Sequence, residues 1–183
     1  EVCSWQLALP RALQREALHC ALGVGEYEIS TPPSSSDQPI KVLVVDRRDA
    51  SSRKVLNHNQ IMSKLKQSLP KDVLFRVFLG STMDLEEQIR SFIWADIVVA
   101  PHGAALGLIA NMQPGSSVIE IGYPSNNLPL IFMATAISVS LDYYMTIATK
   151  GGHTEPLVAD VADVTRCVRE AHRRQEVRRH SQS

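Results

Sequence analysis

Five short runs rich in β-branched or aromatic side chains recur along the second half and middle of the chain: IKVLVVD at 40–46, VLFRVFL at 73–79, DIVVA at 96–100, SVIEI at 117–121 and SLDYYMTI at 140–147. Stretches with helical spacing separate the first of them. From Asn57 to Leu69, Ile61, Met62, Leu65 and Leu69 share one face, and Leu85, Ile89, Phe92 and Ile93 do the same in the next segment, which Ser81 and Asp84 are suited to open. Strands that alternate with helices of this length build βαβ units, so the expected fold is α/β, a doubly wound, mostly parallel sheet of about five strands. Right-handed crossovers then favour the order 2-1-3-4-5. Such a sheet has a switch point between its first and third strands, and ligands bind there, outside the carboxyl ends of the strands.

Composition narrows the class. At 183 residues, with 44% hydrophobic and 21% charged side chains, the chain suits one globular domain with a core of its own. Nineteen basic and nineteen acidic residues balance, so no domain-wide field points to nucleic acid, and the basic stretch from Arg166 to His180 reads as a solvated helix face. Cys3, Cys20 and Cys167 have no metal-ligand spacing, and no run is long enough to span a bilayer. An amphipathic helix is expected over 11–22, followed by a Pro/Ser/Gly-rich loop over 25–39. The chain opens on Glu1 without a signal-like segment, which reads as a trimmed chain or a fragment with its targeting signal upstream.

Two loops meet at the switch point. After the third strand comes Pro101-His102-Gly103-Ala104-Ala105, where small residues open a helix and its N–H groups favour a phosphate or diphosphate. His102 can donate to a phosphate oxygen or serve as acid or base, or it can simply satisfy a turn carbonyl. After the first strand come Arg47, Arg48 and Arg53, whose planar guanidinium groups suit phosphate oxygens, the alternative being a solvated loop with local ion pairs. Asn57 reads as a helix N-cap. Glu120 interrupts an apolar strand, and a carboxylate there needs donors, which two ribose hydroxyls would supply unless the strand is an edge whose alternate residues face water. The loop at 122–129, GYPSNNLP, is placed to close over a base or sugar. No DxD, HExxH, GxSxG, P-loop or GxGxxG motif occurs. A receiver or flavin domain fits poorly, because Asp46 is followed by two arginines instead of an acidic cluster.

The order of Arg48, Arg53 and Asn57, then a helix, a strand and ADIVVAPHGAALGLIANMQPGSSVIEIG resembles the carboxyl-terminal lobe of glycosyltransferase family 61, over roughly residues 40–147. That family includes N-acetylglucosaminyltransferases acting on EGF domains and on O-mannose, and plant xylan glycosyltransferases. The resemblance implies the Rossmann-like donor lobe of a GT-B type enzyme, inverting and metal-independent, that passes sugar from a UDP-sugar to a hydroxyl of a protein or polysaccharide acceptor. It implies Arg48, Arg53, His102, Gly103, Ala104 and Glu120 as donor-site positions with Asn57 behind them; it does not assign the catalytic base, for which no residue here has a better claim than His102. Ala105 stands where many relatives have a second glycine, adding a methyl group beside the diphosphate. The resemblance implies no cofactor beyond the donor itself, no nucleic acid, a Golgi or endoplasmic reticulum lumen setting, and membrane attachment only through an upstream anchor. Residues 1–39 then form a bridging helix and loop toward an acceptor-binding lobe not contained in this sequence, and 40–183 the nucleotide-sugar lobe with its C-terminal helix. The competing reading is a non-catalytic nucleotide-binding or protein-interaction module on the same fold.

Overall fold

The computed structural model describes residues 38–181, so the helix expected over 11–22 and nearly all of the loop over 25–39 lie outside the described residues. Five strands form one parallel sheet: β1 (Lys41–Val45), β2 (Leu74–Phe78), β3 (Ile97–Pro101), β4 (Ser117–Gly122) and β5 (Asp142–Ile147), in the order β2-β1-β3-β4-β5. This is the expected order. Val44 stands opposite Val77 on one side and Val99 on the other, so β1 is flanked along its length.

Alternation along each strand divides the apolar side chains between two layers. Val42, Val44, Ile97, Val99, Ile119 and Ile121 pack under α1 (His58–Ser68) and α4 (Val161–His180). Leu43, Val45, Val98, Ala100 and Val118 pack on the opposite face, under α2 (Leu85–Trp94) and α3 (Ile131–Ser138). Both faces of the inner strands are therefore covered, which is why they read as unbroken apolar runs. The start of α2 is fixed by a reciprocal cap: Asp84 accepts from the Glu87 N–H at 2.8 Å and the Glu87 carboxylate accepts from the Asp84 N–H at 3.0 Å.

Three features depart from the sequence expectations. The helix expected after His102 is a 3-10 helix, Ala104–Asn111. Its fully buried side chains, Leu106 and Ile109, and Met112 just beyond it recur every third residue, a period that three residues per turn keep on one face and 3.6 would not. Second, the sequence assigned no element to α3, whose eight residues, IFMATAIS, are apolar nearly all round and carry no helical stripe. Third, the basic C-terminal stretch is a solvated face on one side only. α4 buries Val164, Cys167, Val168 and Ala171. Its last turns are fastened to the sheet by Gln175 and Arg178, which donate to the Gly115 carbonyl at 2.7 and 2.5 Å, and by Arg179, which pairs with Asp96 at 3.0 Å.

Candidate functional site

The loop leaving β1 sorts three arginines by direction. Asp46, buried at the end of the strand, accepts from the Arg48 N–H at 2.9 Å and from Arg48 Nε at 2.6 Å. Arg48 is thereby folded back on the loop, with 63% of its side chain exposed. The residue before it turns the opposite way. Arg47 lies across Gly103, so close that a Cβ at position 103 would land on Arg47 Nη1, and the same Cβ would be 3.9 Å from Arg53 Nε. The arginine pair at the switch point is thus Arg47 and Arg53, where the sequence reading had Arg48 and Arg53. The i, i+2 pairing of Asp46 with Arg48 was the available signal, because it commits Arg48 and leaves Arg47 for the crevice.

Two like charges side by side are costly, and the site shows the cost. The Nε atoms of both Arg47 and Arg53 are buried without a hydrogen-bond partner among the described residues. Burial and then the neighbouring Arg53 charge pull Arg47 below the usual arginine range, with Asp49 opposing them. Arg53 also has a left-handed backbone, φ 53°, which costs on the order of 1–3 kcal/mol in a non-glycine residue and persists only where the surroundings hold it.

What holds it is the segment after β5. Residues 150–159 return across the carboxyl ends of β4 and β3 and pair beside the β1 loop, through the bridge between Val55 and Leu157. The Arg53 N–H donates to the Glu155 carbonyl at 2.9 Å, and Arg53 Nη1 donates to the His153 carbonyl at 2.7 Å. His153 Nδ1 in turn is 3.1 Å from the Tyr123 hydroxyl, in the loop after β4. Asn57 belongs to this fastening. It occupies the N-cap position of α1 yet makes no capping bond; its amide donates to the Ala159 carbonyl at 2.9 Å and accepts from the Ala159 N–H at 3.0 Å. The side chain expected as a cap is a clip between two distant loops, a role that local spacing does not encode.

On the other side of Gly103, His102 and Glu120 meet. Ala100 is in register with Glu120 and Val118 with Tyr143, so His102 and Tyr143 fall diagonally beside Glu120 on one face of the sheet. His102 Nδ1 pairs with Glu120 Oε1, and the Tyr143 hydroxyl donates to Oε2 at 2.5 Å. Glu120 is 0% exposed and β4 is an inner strand, so the edge-strand alternative does not hold. Both carboxylate oxygens are taken up by protein groups, Oε1 by His102 Nδ1 and Oε2 by the Tyr143 hydroxyl, where the sequence suggests ribose hydroxyls. Burial, followed by the hydrogen bond to Glu120 and its charge, pushes the Tyr143 phenol far above its ordinary value, which keeps it a donor. Tyr123 and Phe132 hold the His102 ring edge-on, at centroid distances of 5.5 and 5.1 Å.

Ala104 and Ala105 line a cleft of about 290 Å³ with Asp46, Arg47, Phe78 and Ser81. The first N–H bonded within the 3-10 helix is that of Leu106, which donates to the Gly103 carbonyl at 3.0 Å. Gly107, by contrast, has nothing near its missing side chain, so close packing does not require a glycine there. Among the described residues no group of three His, Cys, Asp or Glu side chains comes together as metal ligands. The site therefore joins two converging guanidinium groups, a small-residue turn and a histidine braced by a carboxylate, all outside the carboxyl ends of β1, β3 and β4.

The strand order and the crevice at its switch point define an α/β, Rossmann-like fold. The sequence model of the glycosyltransferase 61 family matches residues 14–119, and the chain belongs to that family. Among solved structures it is similar to a flavodoxin, WrbA-like protein from Agrobacterium tumefaciens, at 10% identity and a TM-score of 0.42, with 74% of this chain and 99% of that chain covered. No curated protein matches the sequence.

Proposed function

We propose that the chain is the donor-binding lobe of an inverting glycosyltransferase that takes a UDP-sugar and passes the sugar to a hydroxyl of a glycoprotein or glycan, with no metal ion at the diphosphate. The observation that supports it is the Arg47 and Arg53 pair over Gly103, each with a buried Nε lacking a partner among the described residues. A diphosphate supplies the acceptor oxygens and the negative charge that this pair lacks, and charge-assisted bonds to planar guanidinium groups are the strong kind. The cations also favour bond breaking: as the anomeric carbon leaves the diphosphate, the electron pair stays on the phosphate oxygen, where both guanidinium groups stabilise it. Gly103 leaves open the space that the Arg47 guanidinium fills, and a side chain there would push it aside. The acceptor and the lobe that presents it belong outside this chain, in the secretory-pathway lumen.

Calorimetric titration with UDP, with and without magnesium, tests the reading. Equal affinity in both is expected. Binding only with magnesium contradicts the metal-independent site, and no binding to the folded chain contradicts the donor site.

A further inference from the structure

We infer that Glu120 and Tyr143 are positioning residues for His102, fixing its proton on Nδ1 so that Nε2 is presented to the bound donor as the acceptor of the incoming hydroxyl's proton. The inference rests on the donor-site reading and assigns Glu120 a place behind the histidine instead of at the ribose.

The geometry carries it in three steps. An ionised carboxylate accepts only, and Oε2 already receives the Tyr143 hydroxyl at 2.5 Å, so Oε1 calls for a donor from His102 Nδ1. A carboxylate with no exposed surface is costly unless its oxygens are bonded, and a leucine or methionine would fill the same space without that cost. What the charged group adds is control of the ring: Nδ1–H toward Glu120 leaves Nε2 with its lone pair, and among the described residues no group hydrogen-bonds to Nε2. Tyr123 and Phe132 prevent the ring from turning away. The next residue is Gly103, on which Arg47 rests, so the histidine and the arginine pair meet at one turn.

The acceptor hydroxyl oxygen forms a bond to the anomeric carbon, and the bond from that carbon to the diphosphate oxygen breaks with its electron pair on phosphate. The hydroxyl proton passes to Nε2, and the imidazolium so formed faces the Glu120 carboxylate.

Nitrogen-15 spectra of the imidazole in the full chain at pH 8 test this, with Glu120→Gln, Tyr143→Phe and saturating UDP. Wild type is expected to carry the proton on Nδ1 alone. Glu120→Gln should populate both tautomers, and Tyr143→Phe, the milder change for folding, should admit a minor second tautomer. UDP should shift Nε2 and leave Nδ1 in place, and its Kd should change by less than about threefold in Glu120→Gln, because the carboxylate does not touch the nucleotide. A proton on Nε2 in wild type, or tautomers unmoved in both variants, overturns the positioning role. A UDP-bound chain with an unmoved Nε2 overturns its presentation to the donor, and a tenfold loss of UDP affinity in Glu120→Gln restores the ribose assignment. Failure of wild type to bind UDP at all, seen separately by calorimetry, refutes the donor-site reading and the proton transfer with it, and the tautomers then decide the positioning role alone.

Discussion

Arg47 and Gly103 are one device split between two loops. Substituting Gly103 by alanine places a methyl group where Arg47 Nη1 lies, so the guanidinium must shift from its position over the turn. We expect Gly103→Ala to weaken UDP binding about as much as Arg47→Ala does, and the two changes together to cost little more than either alone, as a double-mutant cycle by calorimetry would show. His58 makes a second residue-level prediction. Burial lowers its pKa below 6.5, with the Asp46 carboxylate at 3.7 Å pulling it partly back and Arg48 pushing it down. A histidine whose folded pKa is depressed resists protonation in the fold while the unfolded chain takes the proton. Stability is therefore expected to fall as pH drops from about 6.5 toward the lower folded value. His58→Gln should make that fall shallower in thermal melts between pH 7 and pH 5.

Among the elements, caps and clips set how firmly the site is held. Asp84→Ala removes one half of the reciprocal cap on α2 and should cost about 1 kcal/mol in denaturant unfolding, with UDP affinity little changed, because the α2 side chain that lines the cleft, Gln88, is held by its own bonds to the Gly80 and Met83 carbonyls. Asn57→Ala should cost more, about 1–3 kcal/mol, since it strands both the N–H and the carbonyl of Ala159. It should also weaken UDP binding, because the 150–159 segment that holds Arg53 loses an anchor. These elements differ in how far the sequence announced them. The five strands and the first two helices were legible because apolar periodicity is a local property and the sheet is buried on both faces. The 3-10 helix was read as an ordinary helix start, since its three-residue period appears only when the burial of Leu106, Ile109 and Met112 is known. α3 was missed because an apolar helix lacks a stripe.

The topology does what the alternation of strands and helices requires: all five strands run parallel, the strand order reverses between β1 and β3, and the candidate site opens there. The sequence located this crevice and named Arg53, His102, Gly103 and Glu120 as belonging near it. It took Arg48 in place of Arg47, an adjacent and chemically identical side chain, although an aspartate two residues before Arg48 was the signal that commits it to the loop. Nor could it supply His153 or Tyr143, which reach the site from the far side of the sheet through pairings with high sequence separation. On the donor-site reading, the arginines that face the diphosphate are Arg47 and Arg53. UDP affinity measured for Arg47→Ala beside Arg48→Ala decides this. Loss of one charge-assisted contact of about 1.5–3 kcal/mol predicts a roughly tenfold to hundredfold weaker Kd for Arg47→Ala and an unchanged Kd for Arg48→Ala. The reverse order, with Arg48→Ala the damaging change, would contradict it.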